Sequence, residues 1–225
     1  MGQVYNQIRR MNMKTKLIFI DDVVAINNWQ VEVFNKIVSN INNSIVNGLI
    51  DIEIDTIDVG SKDGSEGSCS NGVASNIIKL ITNQKEFGAF ILVIDFRWDN
   101  CENSTDTSGL ECAEQISEYV KSNNINNIKI ILVSSKIHEI PNEKDKNIIW
   151  CKRPFFEPTT DDKVKPDNGT TTDRDNVIQQ LQIEKWCEGD DIQKQIYEMC
   201  RSNYIKYQFI GCVIACAYEL FTTEG

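Results

Sequence analysis

Two carboxylates, Asp21 and Asp22, stand where the apolar run LIFI at 17–20 stops, and a third, Asp95, stands where FILVI at 90–94 stops. Short unbroken apolar runs read as strands buried on both faces, the habit of a parallel sheet. In an open α/β sheet, ligands gather beyond the carboxyl ends of the strands, where the strand order reverses. With the order 2-1-3-4-5 that point falls between the first and third strands, and the three acids meet there. Carboxylates that close cannot all stay ionised without compensation. A hard divalent cation resolves the conflict, and Mg2+ favours carboxylate oxygens, above all where phosphate is also present. Ser134 follows the run IKIILV at 128–133 with a hydroxyl able to hydrogen-bond an oxyanion, and Lys152 and Arg153 follow NIIWC at 147–151 with two positive charges. Acid, hydroxyl and cation facing one point suit phosphoryl transfer, with a carboxylate attacking in line while metal and cation neutralise the phosphoryl oxygens.

The elements that must position these groups follow from periodicity. The segment IDIEIDTIDV at 50–59 alternates apolar and acidic residues in its first half, which suits an edge strand with one wet face. Between the strands lie helical stripes: Ile26, Trp29, Val33, Ile37, Ile41 and Ile45; then Val73, Ile77, Leu80 and Ile81; then Leu110, Ala113, Ile116 and Val120. The third stripe opens on SGLE, where Ser108 and Glu111 match a capping box. Strand and helix alternate until a weak segment, SSKIHEIPNEKDK at 134–146, which holds few apolar residues and no clear helix. Alternation of this kind predicts an α/β, flavodoxin-like fold: an open parallel five-stranded sheet with helices on both faces and a C-terminal helical extension.

The predicted organisation is an arm at 1–15, a domain at 16–156, a linker at 157–173 and a helical segment at 174–225. Within the domain, 60–72 is a Gly/Ser-rich loop and 97–109 a long loop directly after Asp95. In the tail, Val177, Leu181 and Trp186 suggest one helix. Gly189 separates it from a longer stripe, Ile192, Ile196, Met199 and Cys200 followed by Phe209, Val213, Ala217 and Leu220. That stripe reads as a core or partner-facing helix.

The totals exclude several classes. The chain has 225 residues and a formal net charge of −10, a surface that repels phosphate backbones, so no nucleic-acid partner is expected. Residues 156–225 carry seven Lys or Arg against thirteen Asp or Glu, which leaves no basic face for a DNA-reading helix and points to dimerisation or protein contact. No C-x-x-C pair occurs among the eight cysteines, and the one histidine, His138, is remote from them, so reduced core thiols in a cytoplasmic protein are expected rather than a zinc site. Cys101 reads as unreactive. No export signal or myristoylation pattern is present. FIGCVIACAYELF at 209–221 is too short for a bilayer, which needs about 20 apolar residues, and no membrane partner is expected.

Taken in order, IDDV, the Asp after the third run, SGLE, VSS and KRPF resemble the receiver domain of two-component response regulators, over residues 16–156. The resemblance implies a phosphorylation-controlled switch. Asp95 is then the phosphoacceptor, and Mg2+ is held by Asp21, Asp22, Asp95 and the main-chain carbonyl of Arg97. Ser134 reports the phosphoryl group, and a residue just before Pro154 grips it. Arg153 holds that slot while Lys152 has the family's residue type, so both stand as candidates, and Trp150 suits the aromatic of the switch. The implied partners are a histidine kinase or related ATPase as phosphodonor and an output protein, with a homodimer through the tail. The chain would be no enzyme beyond its own phosphorylation. It departs from the family in the longer loop before Gly109, the sparse 135–146 segment and the absence of a helix directly after Phe155. Two other readings compete: a protein-interaction module of the same fold that is not phosphorylated, and a Mg2+-dependent phosphatase of the haloacid-dehalogenase type, which wants a D-x-D pattern where this chain has DDVVA.

Overall fold

The computed structural model describes residues 14–22, 51–59, 69–99, 105, 107–134, 145–152, 183–189, 191–206 and 208–222. Its five strands are β1 (Lys14–Asp21), β2 (Asp51–Asp58), β3 (Ala89–Asp95), β4 (Ile128–Ser134) and β5 (Ile148–Lys152). They form one sheet in the order β2-β1-β3-β4-β5, and every pairing is parallel. This is the flavodoxin-like α/β topology expected from the alternation of runs and stripes. The helices are α1 (Cys69–Asn83), α2 (Ser108–Ser122), a short 3-10 turn (Ile183–Glu188), α3 (Asp191–Lys206) and α4 (Gln208–Thr222). The stripe from Ile26 to Ile45, the weak segment after Ser134 with His138, the 157–173 linker and Cys101 lie outside the described residues.

The unbroken apolar runs become the central strands because both their faces are covered. Leu17, Ile91, Val93, Ile131 and Ile149 point to one side, where Ile196 of α3 and Val213, Ala217 and Leu220 of α4 complete a buried cluster. Ile18, Ile20, Leu92, Ile94 and Leu132 point to the other, against Ile77 of α1 and Leu110, Ala113 and Ile116 of α2. The strand period of two divides each run between these cores. Helix α4 is apolar nearly all round and is buried continuously from Gly211 to Tyr218, so Val213 and Ala217, with Leu220 beyond them, are core. Lys129 of β4 anchors it through Glu219, with Nζ to Oε2 at 2.6 Å. No helix among the described residues is long and apolar enough to cross a membrane.

The acidic alternation of β2 does place that strand at an edge, and its charges have partners. Lys16, buried at 5% exposure, meets Asp55 at 3.1 Å and Glu53 at 3.6 Å, and Lys14 pairs with Glu53. The Phe87 ring lies under both ammonium groups, 4.7 Å and 4.9 Å from its centroid. A buried lysine needs such compensation, because an unpaired charge out of water is costly.

The cysteines correct one expectation. Cys112, Cys200 and Cys216 are free and buried, as core thiols should be, but Cys151 of β5 and Cys212 of α4 are joined in a disulfide. They are 61 residues apart in the chain. Only the strand order and the packing of α4 bring them together, so cysteine spacing carries no trace of the pair.

Helix α2 is secured at its far end. Asn124 takes a left-handed φ of 53°, and the N–H groups of Asn124 and Ile125 donate to the carbonyls of Lys121 and Val120. Asp145, ahead of β5, accepts hydrogen bonds from Ser117 Oγ and Lys121 Nζ, each at 2.7 Å, and from the Asn147 N–H at 2.9 Å. Burial by itself would raise the Asp145 carboxyl, but Lys121, the Asn147 N–H and Ser117 outweigh it and hold the pKa below its usual value. A depressed carboxyl contributes stability above the unfolded-state pKa and loses it as pH falls through the folded-state value. Asp145→Ala is therefore expected to cost about 1–2 kcal/mol at pH 7, a figure already discounted for the exposure of Lys121. In urea denaturation the difference from wild type should narrow as the pH is taken below the carboxylate range. A difference unchanged at low pH would show that the ionised carboxylate is not its source.

Candidate functional site

The carboxyl ends of the strands carry the polar residues singled out above. β1 ends on Asp21, β3 on Asp95, β4 on Ser134 and β5 on Lys152. Register keeps these ends level: Ile20 lies beside Ile94, Asp95 beside Val133, and Ser134 beside Lys152. Asp22 follows β1 directly and is buried at 5% exposure, while Asp21 and Asp95 are half-buried. One carboxylate oxygen from each of Asp21, Asp22 and Asp95 lies within 4.8 Å of the others. The three acids therefore do meet between β1 and β3, where the strand order reverses. An all-oxygen donor set this close fits a hard cation such as Mg2+ and suits neither a soft metal nor a thiolate site.

Ser134 is buried at 6% exposure. Arg153 lies outside the described residues, so of the two candidates for the phosphate-gripping role only Lys152 has its main chain placed, at the end of β5. The Arg97 side chain is exposed and turns to Asp99, with Nε to Oδ1 at 2.6 Å. The role expected of Arg97 belongs to its main-chain carbonyl, in which that side chain has no part. Trp98 is fully buried, and Trp150 packs inward with its ring 6.1 Å from that of Phe96.

Several residues of the site escaped the sequence reading. The main-chain N–H of Asp99 donates to Asp22 Oδ2 at 2.5 Å, drawing the start of the long loop back over β1. Main-chain donors leave no mark in side-chain patterns. At the other end of the loop, the Gly109 N–H donates to the Phe96 carbonyl at 3.0 Å. A Cβ on Gly109 would stand 1.8 Å from the Asp95 carbonyl oxygen and 2.8 Å from the Phe96 carbonyl oxygen. The glycine in SGLE is thus set by close approach of two backbones.

The capping box predicted at Ser108 and Glu111 takes another form. The residue preceding the helix is Thr107, and its side chain makes no cap hydrogen bond. Ser108 Oγ accepts the Thr105 N–H at 2.7 Å and donates to the Thr105 carbonyl at 3.1 Å. Glu111 receives hydroxyls instead: Thr105 Oγ1 at 2.8 Å and Thr107 Oγ1 at 3.1 Å on Oε1, and Ser70 Oγ of α1 at 2.9 Å on Oε2. With the helix beginning one residue earlier than the box requires, Glu111 falls at the fourth helical position rather than the third, and hydroxyl donors compete successfully for its carboxylate. The Thr105 hydroxyl is the main reason that the Glu111 pKa lies below its usual value, against an opposing effect of burial and with help from Ser70 and Thr107.

Compared with family models, with curated proteins and with solved structures, the chain matches none.

Gly109→Ala tests the local architecture. The added methyl meets main chain, which has no rotamer to yield, so α2 must withdraw from β3. The expected cost is about 3 kcal/mol in chemical denaturation. Wild-type stability in that variant would mean that helix and strand do not meet as described.

Proposed function

We propose that the chain is a receiver of the two-component type, switched by a phosphoryl group on Asp95. The observation that carries this reading is the convergence of Asp21, Asp22 and Asp95, with oxygens within 4.8 Å, at the turning point of the strand order. Asp95 stands on a firm base. The N–H of Phe96, the next residue, donates to Val133 at 2.9 Å, and the Phe96 carbonyl accepts from Gly109. A main chain fixed this way limits where the Asp95 side chain can start from, which favours a reproducible geometry of attack.

An Asp95 oxygen forms the new O–P bond as the P–N bond of a donor phosphohistidine breaks. The bonding pair leaves on the donor imidazole, which takes up a proton. Asp21, Asp22, Asp95 and the main-chain carbonyl of Arg97 are the residues to hold Mg2+, which when bound neutralises charge on the phosphoryl oxygens. Ser134 supplies a hydroxyl donor to the same oxygens and reports their arrival. Lys152 or Arg153 supplies the fixed positive charge. The donor in this reading is a histidine kinase or related ATPase, and the product signals to an output protein.

One observation favours a second reading, an interaction module that is not phosphorylated. The Asp99 N–H already offsets part of the Asp22 charge without any cation. Intact mass spectrometry separates the two. Incubation with Mg2+ and a small phosphodonor is expected to add a single phosphoryl group to wild type and none to Asp95→Asn. An unmodified wild type under those conditions would overturn the receiver reading in favour of the module, and an equal adduct on Asp95→Asn would place the acceptor elsewhere.

A further inference from the structure

The loop between Asp95 and α2 is closed at both described ends, and the closure at its second end converges on one side chain. Glu111 collects hydroxyls from two directions. Thr105 and Thr107, the last described residues of the loop, bind its Oε1, and Ser70, from the first turn of α1, binds its Oε2. Ser70 and Ser108 are each 1% exposed, so the knot has a buried inner side, while Glu111 and Thr107 are half-buried and Thr105 lies at the surface. Ser108 adds two bonds to the Thr105 main chain. Two residues before Glu111, Gly109 presses on the Asp95 carbonyl and donates to Phe96.

We propose that Glu111 is a positioning residue for Asp95: by tying the loop end and α1 to the first turn of α2, it seats Gly109 against the main chain of the acceptor and so sets where the Asp95 carboxylate stands relative to Asp21 and Asp22. This deepens the receiver reading and rests on it. The geometry separates the residue from an ordinary helix cap. A cap satisfies the N–H groups of its own helix, whereas the described partners of this carboxylate are side-chain hydroxyls, one of them on a different helix. Glu111 is ionised at neutral pH like any glutamate, and the hydroxyls that lower its pKa further do so through charge-assisted bonds. The long loop that follows Asp95 gives the device its purpose. A short connection holds a helix start in place by chain length alone, while a longer one leaves that position free unless a side chain fixes it.

The experiment uses the full chain and the variants Glu111→Ala, Glu111→Gln and Ser70→Ala, with Asp145→Ala as a variant that loosens the far end of α2 without touching the knot. Labelling of Asp95 by a small phosphodonor is measured against Mg2+ concentration. Glu111→Ala is expected to raise the half-saturating Mg2+ concentration about tenfold, the effect usual for losing a group that orients metal ligands. Glu111→Gln and Ser70→Ala, which keep part of the knot, should fall between it and wild type. Asp145→Ala should match wild type in this readout despite its lower stability. Equal Mg2+ dependence in wild type and all three knot variants would overturn the proposal, as would a shift in Asp145→Ala as large as that in Glu111→Ala, which would reduce the effect to stability. Amide hydrogen exchange at Gly109 distinguishes this from failure of the receiver reading. Exchange there should be slow in wild type and faster in Glu111→Ala whether or not Asp95 accepts phosphate. An unlabelled wild type overturns the acceptor reading, and unchanged exchange at Gly109 overturns the knot.

Discussion

Mutual repulsion of three carboxylates is the constraint around which this molecule is arranged. At 4.8 Å, two unit charges repel by about 3.5 kcal/mol at an effective dielectric constant of about 20. Nothing local in the chain would gather Asp21, Asp22 and Asp95. The parallel sheet does so because β1 and β3 are neighbours whose ends are level, and both are locked by cores on two faces. Part of the repulsion is relieved where it stands: the Asp99 N–H donates to Asp22. Relief of such repulsion by a cation is what the proposed phosphoryl site calls for.

The same sheet has a second economy of charge at its opposite end. The lysines at the start of β1 answer the acidic face of β2, with Phe87 beneath them. Acidic residues therefore do two different things in one fold. On β2 they are neutralised by side chains from the neighbouring strand. At the carboxyl ends of β1 and β3 they are concentrated, with one oxygen of each of Asp21, Asp22 and Asp95 within 4.8 Å of the others. Helix α4 belongs to this economy as well. It completes one hydrophobic core and meets β4 through the Lys129–Glu219 pair, so the C-terminal segment is structurally part of the sheet domain.

Much of the fold was legible in the sequence because its signals are strong and local. LIFI, FILVI and IKIILV are too apolar to face water on either side, and the stripe Leu110, Ala113, Ile116 and Val120 is fully buried as its spacing predicts. The strand-end position of Asp21, Asp22, Asp95 and Ser134 was readable for the same reason. The knot at Glu111 was visible only as a helix-start signal. Its partners Ser70 and Thr105 lie 41 and 6 residues away and are hydroxyl residues of a common kind. The disulfide between Cys151 and Cys212 leaves no mark in the sequence, because burial in an apolar run looks the same whether or not a second cysteine packs opposite.

By itself, then, the sequence determined that five apolar runs must be strands, that the stripes after the second and third of them are helices, and that acids stand where the first and third strands end. Periodicity and apolarity are properties of neighbouring residues, and burial free energy acts on them directly. Tertiary structure alone decided that Gly109 must lack a side chain to lie against Asp95, that Asp99 lends its main chain to Asp22, and that Glu111 bridges two helices. Each of these depends on the distance between segments remote in the chain. Such distances are set only when the two cores close, and no local pattern records them.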